Sequence, residues 1–340
     1  MNRNVTIKDV AKKASVSPAT VSRALNDNMS ISPETRRKVK EVADQLGYTK
    51  NAVALGLSRG NLNVIGVVIA DISNPFFSEA VRGIEDTAQK HGYGVILCNT
   101  DEDQEREAYY AKFLENHRVG GIIFTTSMLQ DPLIVQLQEK IPTLSLSRTV
   151  LDIDLHYVAG DDFEGGKMAV NHLIKLGHKR IGYITGPLEV APSWSRFRGY
   201  REALASHKLQ YRKAWVQFGD FNHQSGTRLT KNLLKLKDRP TAIFAANDFI
   251  ALGVMKAVEE AGLHVPNDLA VVGYDDIFLA SFPQIQLTTV SQSMRHMGQL
   301  AAQSLLKVIK NPEIDMLQEI IKPKLIIRES CGNKLKSTKK

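Results

Sequence analysis

The stretch TIKDVAKKASVSPATVSRALN, residues 6–26, decides how the N-terminal part of the chain folds. Ile7, Val10, Ala11 and Ala14 recur at helical spacing and predict a short amphipathic helix, which SVS interrupts. A second helix starts after Ser17, a residue type that caps helices. Pro18 takes the first helical position, where its missing N–H costs nothing. With Val21, Ala24 and Leu25 turned inward, Ala19, Thr20, Ser22 and Arg23 face out: small or hydrogen-bonding side chains and one arginine, suited to a DNA major groove. SPETRRKVKEVADQLGY, residues 32–48, predicts a third helix, capped by Ser32 and Pro33, apolar at Val39, Val42, Ala43 and Leu46, and stopped by Gly47. Three short helices with a tight turn between the first two make a helix-turn-helix domain.

Charge points the same way. The first 60 residues carry 11 Lys+Arg against 5 Asp+Glu, whereas the other 280 carry 33 against 31, four of those 33 lying in the tail KLKSTKK. A basic excess confined to a small N-terminal segment suggests a polyanion as partner.

Taken together, VTIKDVAKKASVSPATVSRALN, ISPETRRKV and ADQLGY resemble the N-terminal domain of the lactose-repressor family of bacterial transcription regulators. The resemblance implies a DNA-binding domain over 1–49 that reads double-stranded operator DNA with Pro18, Ala19 and Arg23. Thr6, Ser17, Thr20, Ser22 and Asn26 complete the expected DNA-contacting set. It also makes KNAVALGLSRGN, residues 50–61, a hinge helix, too short to be stable alone in water. In the family this helix pairs with its twin in a dimer on DNA and wedges a leucine, here Leu57, into the minor groove, a device that unstacks a base step and kinks the duplex.

From Leu62 onward apolar strand runs alternate with amphipathic helices: NVIGVVIA, YGVILCN, VGGIIFTT and PTLSLSR, then RIGYITGP, WVQFGD, AIFAAND and LAVVGYDD. Continuous apolar strands separated by helices predict α/β architecture with doubly wound parallel sheets, and the length calls for two subdomains. Ligands of such sheets lie beyond the carboxyl ends of the strands. The residues found there are Asn74, Phe76 and Phe77, then Arg148, Asp161 and Asp162, Arg196, Phe221, Asn247, Asp275 and Gln292. Rings with planar hydrogen-bonding groups are the chemistry of a sugar site: aromatic faces cover C–H faces of the sugar while Arg, Asp and Asn reach vicinal hydroxyls. In SNPFF, residues 73–77, adjacent rings on an extended segment point to opposite faces, so one can pack inward while the other lines a cleft, or both line it from a turn.

This larger part resembles the effector domain of the same family, which is similar to periplasmic sugar-binding proteins. NPFFSEAVRGIED, GYGVILCNTD, ITGPLE and GYDDIFLASF are most similar to the ribose-operon repressors. The resemblance implies an N-terminal subdomain over 62–161 and 292–322, a C-terminal subdomain over 162–291 and 323–333, and a basic tail over 334–340. It places a pentose on Asn74, Phe76, Phe77, Arg148, Arg196, Phe221, Asn247, Asp275 and Gln292. Ser147 departs from the ribose-binding pattern, which has Asp before the first arginine. Val190 and Pro192 stand where a purine-binding relative needs Arg and Thr. The implied activity is repression of a sugar-utilisation operon by a homodimer on a palindromic operator, with D-ribose as inducer. The alternative is a catabolite-control regulator that answers to a phosphorylated carrier protein through a basic patch near Arg82.

Enzymatic readings find little support. GDDFEGGKM has the wrong glycine spacing for a phosphate loop and Met168 where Ser or Thr must reach a metal. SWSRFRG lacks a nucleophile elbow. The paired acids Asp161-Asp162 and Asp275-Asp276 suit turns and caps better than glycoside hydrolysis. The nine histidines show no zinc spacing, and no cofactor or metal is expected. Cys98 and Cys331 cannot build a disulfide framework, which suits a reducing compartment. The N-terminus lacks the apolar core of a signal peptide and no apolar run reaches membrane-span length, so a cytoplasmic location is expected.

Overall fold

The computed structural model describes residues 5–26, 28–48, 62–150 and 153–332, in two compact units that divide after Leu62. Leu57, the hinge stretch and the basic tail lie outside the described residues.

Among its described residues the first unit holds three helices: α1 (Ile7–Ala14), α2 (Pro18–Leu25) and α3 (Pro33–Leu46). Each start has a local cause. At α1 the Asp9 carboxylate accepts from the backbone N–H of Thr6 at 2.8 Å and from its hydroxyl at 2.6 Å. Ser17 accepts from the N–H of Thr20 at 3.0 Å, and Ser32 from that of Thr35 at 3.3 Å, each followed by proline. Ser15, with φ +58°, turns the chain between α1 and α2, and Gly47, with φ +64°, ends α3. Val10, Ala14, Val21, Ala24 and Val39 are wholly buried at the centre, with Leu25, Leu46 and Tyr48 packed around them.

The second unit is two six-stranded sheets. The first runs in the order β11-β5-β4-β3-β1-β2, with β1 Leu62–Ile69, β2 Gly94–Asn99, β3 Val119–Phe124, β4 Thr143–Leu146, β5 His156–Gly160 and β11 Gln318–Ile321. The second runs β12-β10-β9-β8-β6-β7, with β6 Ile181–Thr185, β7 Val216–Phe218, β8 Ala242–Ala245, β9 Ala270–Asp275, β10 Thr288–Ser291 and β12 Lys324–Ile326. The pairings β1–β2, β3–β4–β5–β11 and β7–β6–β8–β9–β10 are parallel. The edge strand β12 runs antiparallel to β10. Strands β3, β4, β6, β8 and β9 are buried along their whole length, as sheets covered by helices on both faces require. The chain passes between the sheets three times: after β5, after β10 and after β11.

Helices set the ends of these strands. α4 (Pro75–Lys90) is pressed against α11 (Met294–Lys310), the helix that also covers β3, β4 and β5. A Cβ on Gly83 would lie 2.1 Å from the backbone oxygen of Arg295, and one on Gly298 2.1 Å from that of Ala80, so only glycine permits this approach. The contact anchors α4 and with it the turn that starts the helix.

Candidate effector cavity and DNA-reading face

In the second unit, the strand ends enclose a cavity of about 540 Å³. Asn74, Phe76, Phe77, Arg148, Arg196, Phe221, Asn247 and Asp275 all line it. Phe76 and Phe77 do so from the first turn of α4 rather than from an extended segment, because Asn74 accepts from the Phe76 N–H at 3.1 Å and caps a helix that opens at Pro75. Helical geometry sends adjacent residues about 100° apart, so both rings reach one wall. They meet edge to face, centroids 5.0 Å apart and planes at 88°.

The opposite wall is a polar lattice. Arg196, at the start of α8 (Ala191–Ser206), donates through Nε to Asp162 at 2.8 Å and through a terminal nitrogen to the carbonyl of Ala246 at 2.6 Å. Its guanidinium lies 3.7 Å from the centroid of the Tyr274 ring, and its other nitrogen is 3.9 Å from Asp275. Asp161 caps α7 (Asp162–Lys175) by accepting from Glu164 at 3.0 Å, so the two adjacent acids serve a cap and an ion pair. Asn247 accepts from Ile250 at 2.8 Å, capping α10 (Asp248–Glu260), and donates to the carbonyl of Phe221 at 3.1 Å, which fixes that ring's loop. Gln292 is not in the lining: buried behind it, its amide donates to Asp275 at 3.0 Å. Burial pushes the Asp275 carboxyl well above the usual carboxylate range, against the pull of Arg196. Asp248, wholly buried beneath, is pushed up to about 7 by the same desolvation while accepting from the hydroxyl of Thr289 and the N–H of Ile277.

Several lining residues escaped sequence reasoning. Glu102 precedes α5 (Gln104–Asn116), and Glu107 lies within it. Glu107 accepts from the Thr126 hydroxyl at 2.6 Å, and burial pushes its carboxyl up to about 7. Both follow the carboxyl end of β2, the signal that could have found them. Counted over the lining, Asp71, Asp101, Glu102, Glu107, Asp220 and Asp275 oppose only Arg148 and Arg196. Such a cavity repels anions and offers an uncharged polyol both donors and acceptors. Among the described residues no cluster of three or more His, Cys, Asp or Glu is arranged to hold a metal.

In the first unit, Thr6, Ser17, Pro18, Ala19, Ser22, Arg23 and Asn26 are exposed and Thr20 half-buried. Ser17 and Thr20 share a hydroxyl–hydroxyl contact of 2.9 Å, so both build the N-terminus of α2. Arg23 stands on the outer face of that helix, opposite the buried Val21 and Ala24.

Residues 6–51 match the family model for bacterial regulatory proteins of the lacI family, and residues 170–331 match that for a periplasmic binding protein-like domain. The chain is 38% identical over 314 residues to catabolite control protein A of Priestia megaterium, covering 92% of this chain and 95% of that protein. It is 36% identical over 328 residues to the ribose operon repressor of Escherichia coli (strain K12), covering 96% and 99%. The solved lac repressor dimer bound to operator and an anti-inducer superposes with a TM-score of 0.86 at 30% identity, covering 97% of this chain and 99% of that one. The chain belongs to the lacI family of bacterial regulatory proteins.

Proposed function

We propose that this regulator represses a sugar-utilisation operon, binding a palindromic operator as a homodimer and releasing it when a small uncharged sugar, first of all D-ribose, enters the cavity. The observation that carries the reading is the cavity wall itself. An edge-to-face phenylalanine pair shares the lining with Asp275, Arg148 and Arg196 and with further acidic side chains. Similarity to ribose operon repressors supports the pentose. The alternative of a phosphorylated carrier protein needs a basic face near Arg82. That residue sits 3.9 Å from Glu79, and Arg295 is ion-paired with Asp86 at 2.7 Å, so this surface is charge-balanced.

The mechanism is a two-state switch. Sugar favours a closed cleft, and the closed state disfavours the DNA-bound arrangement of the head and of Leu57. Coupling of this kind is typically about 1–3 kcal/mol and is reciprocal, so operator DNA weakens sugar affinity by the same factor. Titrating D-ribose into a protein–operator complex, with calorimetry on the free protein, tests ligand and sign together. Release by ribose supports the reading, tighter operator binding reverses the sign, and silence toward ribose removes the pentose.

A further inference from the structure

Arg148 is almost wholly buried, and a guanidinium offers a sugar only donors. A hydroxyl is both donor and acceptor, so an arginine that grips a vicinal diol works best beside a carboxylate that takes the hydroxyl protons. Its chain neighbour Ser147 offers none. The structure supplies one from elsewhere. Glu102 approaches Arg148 with both oxygens, at 2.5 and 3.2 Å, while Arg148 also donates to the Thr126 carbonyl at 2.9 Å.

The loop that carries Glu102 is built to aim it. Asp101 and Glu102 are consecutive non-glycine residues in the left-handed region, with φ of +55° and +59°. They are held there by neighbours. Thr100 donates to the Ile69 carbonyl at 3.0 Å, Asn99 donates to Asp101 at 2.7 Å, and Asp101 is ion-paired with Arg106. Asp103 then caps α5 by accepting from Glu105 at 2.8 Å. Backbone strain held in place by its surroundings is typical of ligand clamps.

We infer that Glu102 is an effector-contacting residue, supplying beside Arg148 the hydroxyl-binding carboxylate that Ser147 does not. This rests on the sugar reading of the cavity and adds a residue to it. A sugar diol bound here would donate to Glu102 and accept from Arg148, and the Glu102–Arg148 pair would hold both groups in register before the ligand arrives.

The test is calorimetry of the full chain with D-ribose, and with L-arabinose, D-xylose and D-glucose if ribose gives no heat. Glu102→Ala is expected to weaken the sugar that binds by roughly ten- to a hundredfold, the loss of a charge-assisted hydrogen bond. Glu102→Gln, which keeps an acceptor and spares the fold, is expected to lose less. Adding Ser147→Asp to Glu102→Ala should recover part of the loss, since Ser147 has φ +71° and Asp tolerates that region. Operator binding without sugar should stay unchanged throughout. Unchanged or tighter sugar binding in both Glu102 variants overturns the inference, the tighter case marking Glu102 as an internal competitor. Failure of ribose with success of another sugar overturns only the pentose, and a wild type that binds none overturns both.

Discussion

The side-chain amide of Gln292, one residue past β10, donates to Oδ1 of Asp275, the last residue of β9, at 3.0 Å. The relationship makes Gln292 a tether that orients a cavity carboxylate rather than a group in the lining. Asp275→Ala should therefore weaken binding of the proposed effector, D-ribose, by about 1–3 kcal/mol, the cost of leaving a buried hydroxyl without its hydrogen-bond partner. Gln292→Ala should weaken it by a smaller amount. In both, operator affinity without sugar should match the wild type while sugar-driven release shifts to higher concentration. Gel-shift titrations read the response and calorimetry the affinity. Loss of operator binding in sugar-free Asp275→Ala would make the residue structural.

Arg23 is the exposed basic side chain on the outer face of α2. If it reads a base edge, Arg23→Ala should cost about 1–3 kcal/mol on the operator and relax preference at one base position. Binding to a library of operator variants measures both. An equal loss on random DNA reassigns Arg23 to a phosphate.

Ser17 caps α2 through the N–H of Thr20. Ser17→Ala should destabilise the three-helix unit by about 0.5–2 kcal/mol, because a small core has little reserve to absorb a lost cap. Hydrogen exchange in the full chain should show faster exchange across α1 to α3 and no change in β8 or β9.

Glu107 makes stability depend on pH. Burial raises its folded-state pKa from 4.5 to about 7, so between those values the folded protein holds a proton that the unfolded chain has released. Stability therefore falls as pH rises from about 4.5 to 7 and then levels off. Asp248, raised from 3.8 to about 7, adds a slope of the same sign. Glu107→Gln should flatten part of this profile and, at pH 8, gain about 1–3 kcal/mol over the wild type. Urea unfolding across pH 5 to 8 checks it, and a profile unchanged by the substitution would refute the assignment.

The caps of the helical head were legible because each depends on residues within one turn, as Ser17-Pro18 and Ser32-Pro33 show. The same cap-then-proline signature recurs at Asn74-Pro75, where it correctly predicts a helix. Reading SNPFF as extended overlooked it. Strand ends brought Asn74, Arg148, Asn247 and Asp275 to one cavity because the runs before them are apolar and largely buried. The end of β2 points to the loop of Glu102, but the aim of its side chain depends on two left-handed residues, Asp101 and Glu102 itself, that are not glycines. β11 and β12 escaped because they are short, exposed edge strands whose pairing comes from partners far along the chain.

The three passages between the sheets have a consequence for synthesis. β11, α11 and β12 come from residues 294–326, so on the ribosome the first sheet lacks both its edge strand and the helix over β3, β4 and β5 until the chain is nearly finished. The second sheet waits for β12. The head, made first from contiguous residues, can fold while the sensor behind it is still incomplete. A nascent or truncated chain ending before residue 294 would thus carry a folded helix-turn-helix unit without a complete effector domain behind it, and could not answer to a small-molecule effector.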